Sequence, residues 1–321
     1  MATLINFDRY YANFPTITRE SDFDYYWKNA LIDMKRISLD PTSVENRRLS
    51  SQRFNVYDIT YKSFLKTTIS ARLYKPKKKQ NPRPVIVLHD YLHNEPYKGY
   101  KLDEEFAWLF VEMRGHQVFR NMSYSDIVGN SQFESPGYLI ENILDSENYY
   151  LRGVYLDSYR SIDYLRLERD IDCSIVAFLG KGLGGAAAAF CAAMSTRVGA
   201  LVLDSLAFAN LEVSQNISDG FITDEINRIA NNVRGKKRVL KRNLSYFDAV
   251  NFSDRISVPL LMVTGIKALS SPAECVFSFF NKCTSMEKTI EVYPYDGIEA
   301  GGEKQFSKTQ DWLRECVYGT K

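Results

Sequence analysis

The sequence predicts an α/β fold, with a mostly parallel central sheet flanked by helices in a single domain spanning residues 1–321. Continuous apolar runs of strand length recur at Val85–Leu88, Ile175–Leu179, Ala200–Leu203, Leu260–Thr264 and Ile290–Tyr293. Segments with helical spacing lie between them. Runs that are apolar at every position suit strands covered on both faces, and strands alternating with helices read as parallel crossovers. Composition agrees: 45% apolar and 25% charged residues describe a folded chain, not a disordered one. A chain of this length buries about three quarters of its unfolded surface, so it needs no disulfide or metal to hold it.

The elements follow in order. Asp22–Leu39 forms an N-terminal helical extension. Phe23, Tyr26, Trp27, Ala30, Leu31 and Met34 share one face, behind a Ser21-Asp22 cap. Phe54–Tyr74 alternates as strands. Lys75–Pro84 (KPKKKQNPRP) reads as a solvated loop whose four lysines are turn surface. Helical patterns cover Leu102–Met113, Tyr149–Leu167, Gly184–Met194, Ser271–Phe280 and Glu303–Val317. Leu206–Tyr246 has few strand signals and reads as a helical insertion. Its basic run, Arg234–Arg242 (RGKKRVLKR), reads as a solvated helix face, with an acidic partner as the sharper alternative.

The 41 Lys and Arg nearly balance the 39 Asp and Glu, which argues against a nucleic-acid-coating protein. Five cysteines, an odd number without a CxxC pair, read as reduced thiols in a cytoplasmic protein. Cys191, Cys275 and Cys316 sit in apolar surroundings. MATLINFDRYYANF has no basic segment followed by an apolar core, so no signal peptide is expected. The longest apolar tract, Ile175–Met194, is interrupted by Gly180, Lys181, Gly182, Gly184 and Gly185, so no membrane span is expected. His89 and His93 lie four apart, but in a loop, and neither a metal nor another cofactor is expected.

The most informative segment is a strand entering a helix through Gly180-Lys181-Gly182-Leu183-Gly184-Gly185. Such a turn has two chemical uses. One is dinucleotide binding: Gly180, Gly182 and Gly185 fit GxGxxG, and Asp204 ends the next apolar run where a ribose contact would come. The other is a nucleophile elbow, GxSxG. In that frame Gly182 stands at the nucleophile and has no side chain.

Here the chain resembles the acetyl xylan esterase / cephalosporin C deacetylase family of α/β-hydrolases over nearly its whole length. FDYYWKNAL is similar to the family's FxxFW segment, and Asp58–Phe64 (DITYKSF) to its LTYKSF strand. His89-Asp90-Tyr91 stands at HGY, and Arg114-Gly115-His116-Gln117 at RGQ. Ile143–Asp157 (ILDSENYYLRGVYLD) resembles the segment ILD…YYYRGVYLD almost letter for letter, and Leu244–Asp248 (LSYFD) also matches.

The resemblance implies a Ser–Asp–His triad, but the matching positions do not carry it. The serine position is Gly182. The aspartate position is Lys267 or Ala268, and the histidine position is Ile298. The family's oxyanion N–H groups fall at Tyr91 and Leu183. Asp90 replaces a family glycine and would bring a carboxylate where negative charge should develop. Independently, the three histidines (His89, His93, His116) all precede the glycine turn, whereas triad chemistry in this fold needs an imidazole after it.

Other residues offer little replacement. Lys181 reads as a surface or helix-N-terminal lysine, and Cys191 as core. His89 reads as an architectural hydrogen-bonding residue, and His93 and His116 as loop residues near the mouth of the former site. Tyr149, Tyr150, Tyr155 and Tyr159 read as helix packing and subunit contact, with a sugar platform as the alternative. The reading is a catalytically inactive scaffold used for binding or assembly. The resemblance implies a homo-oligomer, a hexamer or dimer; a protein partner is also compatible. The rivals are an active acetyl esterase with non-standard residues and a nucleotide-binding protein acting through Gly180–Gly185.

Overall fold

The protein is described here by a computed structural model covering residues 7–90, 97, 99–117, 122–123, 137–232 and 235–319. Its main sheet runs through β1 (Thr42–Glu45), β2 (Phe54–Lys62), β3 (Thr68–Pro76), β4 (Arg83–Leu88), β5 (Phe106–Val111), β8 (Val176–Lys181), β9 (Val198–Asp204), β10 (Leu260–Gly265) and β11 (Lys288–Tyr293). A separate short pair joins β6 (His116–Gln117) and β7 (Met122–Ser123). The spatial order is β1-β2-β3-β5-β4-β8-β9-β10-β11. β1, β2, β3 and β5 pair antiparallel, and every pairing from β5 through β4 to β11 is parallel. The five parallel strands expected from apolar runs are all present.

Two departures are informative. Leu102–Met113, expected as a helix, contains β5 instead. Its six residues FAWLFV are all buried, which suits a strand covered on both faces. Periodicity alone cannot separate a short apolar strand from a buried helix. β3 also runs into the expected loop as far as Pro76, where Lys75 is half-buried and donates to Glu168 (2.5 Å) and Asp170 (2.9 Å). β1 gave no sequence signal because every residue in it is exposed.

The helices are α1 (Asp8–Tyr11), α2 (Phe23–Lys35), α3 (Tyr150–Leu165), α4 (Leu183–Met194), α5 (Leu211–Ile217), α6 (Phe221–Asn232), α7 (Lys237–Ser245), α8 (Ala273–Lys282) and α9 (Gly302–Tyr318). α5–α7 form the expected insertion. On α7, Leu240 and Leu244 are buried while Lys237, Arg238, Lys241 and Arg242 face solvent, as a solvated helix face requires. α2 docks through Trp27, fully buried among Tyr155, Phe190, Phe247 and Phe252, with Nε1–H donating to Tyr246 O at 3.0 Å. Burying such a side chain contributes about 1.5–3 kcal/mol. The Ser21-Asp22 cap makes no side-chain hydrogen bond to α2; Asp22 instead accepts from Tyr246 Oη–H at 2.6 Å. Cys316 is half-buried rather than core, whereas Cys283 joins Cys191 and Cys275 inside.

A buried ion pair ties Arg114 to α3. Arg114 Nε and Nη2 donate to the two oxygens of Asp157 on α3 at 2.7 and 2.8 Å, and Nη2 also reaches Phe64 O. Tyr150 donates to Arg114 O at 2.8 Å, and Tyr61 to Asp157 O at 3.1 Å. Gly153 lies one turn before Asp157. A Cβ there would sit 2.1 Å from Arg114 Cζ, so the guanidinium lies flat on the helix only because that position is glycine. Tyr149 and Tyr155 are likewise interior, donating to Leu139 O and Phe247 O. Tyr149, Tyr150 and Tyr155 are almost wholly buried, so neither the sugar-platform nor the subunit-contact reading of these three holds.

Candidate functional site

β8 runs into α4 through Gly182, whose φ of 54° and ψ of −121° lie where L side chains are strained. The turn thus has the strained strand-to-helix form of a nucleophile elbow. A Cβ at Gly182 would lie 2.0 Å from Asp90 Oδ1 and 2.3 Å from its Cγ. The carboxylate of Asp90 therefore fills the space into which a residue-182 side chain would project. Asp90 Oδ1 also accepts the N–H of Leu183 at 3.0 Å. That N–H opens α4, where the helix dipole favours a negative group. A fixed carboxylate thus occupies the Leu183 N–H, the donor expected from the sequence to face an oxyanion. Tyr91 and His93 lie outside the described residues, as does the side chain of His116.

His89 is buried beneath this turn, its ring centroid 6.2 Å from that of Phe110. Burial lowers its pKa to about 3, so the ring is neutral at physiological pH. Cys191 is buried within α4, and burial pushes its thiol well above the usual range, away from thiolate chemistry.

Lys181 is not a surface residue. Its side chain is 14% exposed, and Nζ donates to Asp204 Oδ2 and to Ile298 O, both at 2.8 Å. Asp204 Oδ2 also accepts from Tyr97 Oη–H at 2.7 Å, and Oδ1 from Ser205 Oγ–H at 3.1 Å. Ser205 Oγ lies 3.1 Å from Ile298 O as well. Burial and the adjacent Asp204 carboxylate hold the Tyr97 phenol well above its ordinary pKa. This network ties the β8 turn to the Ile298 loop. Lys267, by contrast, is exposed, its ammonium 5.7 Å from the Tyr295 ring centroid, and Ala268 is buried. The structure brings Gly182, Leu183, Asp90 and His89 together, reaches Ile298 through Lys181, and leaves Lys267 outside that network.

The same geometry corrects the nucleotide reading. The α4 N–H of Leu183 that would cradle a pyrophosphate is taken by Asp90. Both oxygens of the would-be ribose ligand Asp204 are engaged by Lys181, Tyr97 and Ser205. Sequence reasoning missed Tyr97, Ser205 and the Lys181–Asp204 pair. Its signal was cross-strand: Lys181 and Asp204 are register partners at the ends of β8 and β9. Among the described residues no helix is long and apolar enough to cross a membrane.

Comparison with known proteins follows this geometry. The acetyl xylan esterase (AXE1) family profile matches residues 4–316. Acetyl esterase Axe7A of Xylanibacter ruminicola is 25% identical over 316 residues, covering 94% of this chain and 69% of that protein. An acetyl xylan esterase from Paenibacillus sp. R4 superimposes with a TM-score of 0.84 at 22% identity, over 98% of this chain and 100% of its own. Acetyl xylan esterase 1 from Thermoanaerobacterium sp. JW/SL YS485 gives 0.79 at 21%, over 95% and 97%. These two likenesses establish the α/β-hydrolase fold. With the profile spanning almost every residue, the chain belongs to the acetyl xylan esterase family.

Proposed function

We propose that this chain is a non-hydrolytic member of its family, one that retains the esterase scaffold for binding or assembly. The observation that carries this reading is the carboxylate of Asp90, seated on Leu183 N–H in the space beside Gly182. Acyl transfer needs a nucleophile, a base and a free oxyanion donor. On this reading Gly182, Lys267 (or Ala268) and Ile298 occupy the triad positions, and none carries the required group. No histidine follows residue 116 to supply the base. Loss of such groups removes most of the acceleration a triad provides. The chain would act as a cytoplasmic homo-oligomer, a dimer or a hexamer, with its surfaces rather than its chemistry under use.

The family and the acetyl esterase relative favour a second reading, an acetyl esterase using other residues. Assay of the full chain on p-nitrophenyl acetate separates them. The non-hydrolytic reading expects release indistinguishable from buffer. Turnover that disappears on one substitution among the described site residues would establish the second.

A further inference from the structure

Between the carboxyl ends of β8–β10 and helix α9 lies a cavity of ≈ 250 Å³. Crevices at the carboxyl ends of parallel strands are where α/β sheets take ligands. Val202 and Val263 form an apolar floor. Tyr97 and Phe306 form a ring wall, stacked with centroids 4.5 Å apart at 20°. Lys181 and Asp204 close the polar end.

The polar end selects on charge. At the closed end Lys181 and Asp204 neutralise one another, while Glu299 adds an exposed carboxylate to the lining, so an anionic ligand meets carboxylates and a cationic one reaching the closed end meets the ammonium, each in partly desolvated surroundings. Asp204 Oδ2 already takes two donors. The Lys181 ammonium has three hydrogens, and Asp204 and Ile298 O account for two. The third can serve an acceptor entering the cavity. The floor and rings favour a flat apolar body. Size bounds that body: a dry cavity of about 150 Å³ holds benzene, so this one admits a single ring with one small substituent.

We propose that this cavity binds a small neutral molecule built on one aromatic ring bearing a carbonyl or carboxamide, with the ring against Tyr97 and Phe306 and the oxygen on Lys181 Nζ. The site does not rest on the non-hydrolytic reading, and measured esterase turnover would leave it standing.

The test titrates the full-length chain with benzamide, benzoate and benzylamine at pH 7, by calorimetry and saturation-transfer NMR. Benzamide is expected to bind in the roughly millimolar range of a fragment, and the two charged analogues about tenfold more weakly. Val202→Phe fills the cavity and should abolish binding. Lys181→Met combined with Asp204→Asn removes both charges together, leaving no unpaired ion, and should weaken benzamide about tenfold. Near-UV circular dichroism checks that each variant folds; if neither does, the selectivity order of the unmodified chain decides. No benzamide binding, equal binding of all three compounds, or unchanged affinity in the folded double variant would overturn the proposal.

Discussion

Replacing Gly182 with serine tests the central geometry. The new Cβ would sit 2.0 Å from Asp90 Oδ1 and 2.3 Å from Cγ, where carbon contacts normally settle at about 3.5–4.0 Å. Asp90 is only 7% exposed and is held by Leu183 N–H, so its carboxylate must leave that donor to make room. A hydrogen bond to a charged group contributes about 1.5–3 kcal/mol. A non-glycine residue held in a sparsely populated backbone conformation costs about 1–3 kcal/mol more. The expected loss is therefore about 2.5–6 kcal/mol, a large share of the roughly 5–15 kcal/mol that holds a domain folded. Asp90→Gly alone should cost about 1.5–3 kcal/mol, the same bond lost once. Since G182S and D90G sacrifice one shared bond, the double variant should be more stable than the sum of the singles by about that amount. Guanidinium titrations of all four proteins at pH 7 read this coupling, and p-nitrophenyl acetate reads activity. Stability of G182S within about 0.5 kcal/mol of the parent, or strict additivity, would refute the steric account. Hydrolysis by G182S would refute the claim that the base is missing.

Four further outcomes follow from the interior. Arg114→Met strands the Asp157 carboxylate in the core and should destabilise by about 3–5 kcal/mol in denaturant titrations. Gly153→Ala drives a methyl into the Arg114 guanidinium, and a loss of about 1–3 kcal/mol is expected from overpacking in the same titrations. Burial lowers the His89 pKa from 6.5 to about 3. Its stabilising share is therefore present above pH 6.5 and lost as pH falls toward 3, because the unfolded chain binds the proton first. His89→Gln should flatten that acid-side decline between pH 6.5 and 4. Asp248, raised by burial to about 6, acts oppositely: the stability it contributes when protonated is lost as pH rises through that value.

What the sequence revealed depended on whether a feature was local. Strands such as Leu260–Gly265 were legible because being covered on both faces forces an unbroken apolar run. Phe106–Val111 is an equally unbroken apolar run, yet it reads as part of a helical pattern over Leu102–Met113, because a short apolar run fits either a strand or a buried helix. The β8 turn was legible because its glycines are consecutive in the chain. The pairing of Lys181 with Asp204 was not, because it depends on β8 and β9 being neighbours in one register. Nor was the contact of Asp90 with Leu183, which spans 93 positions. Asp90 was visible as an odd residue beside the expected oxyanion site, while its seat on that donor needed the packing of α4 against the end of β4.

The Arg114 cluster and the β8 turn differ in what fixes their residues. Arg114, Gly153 and Asp157 depend on one another: the ion pair is almost fully buried, and the guanidinium fits only over a glycine. Changing any one of them leaves a charge or a methyl without a place, so this cluster resists piecemeal substitution. The elbow is different. Its backbone conformation is one that any side chain strains, and glycine adopts it freely. A serine there would be strained and would have to be sustained by the work it does, at the expense of stability. On the non-hydrolytic reading proposed above, glycine avoids that strain and leaves a small polar recess at the start of a helix. Asp90 is the group that such a recess favours: its carboxylate satisfies the Leu183 N–H and lies at the positive end of the α4 dipole. Gly182 and Asp90 thus form a matched pair, each accommodating the other, and changing one alone disturbs the packing of both.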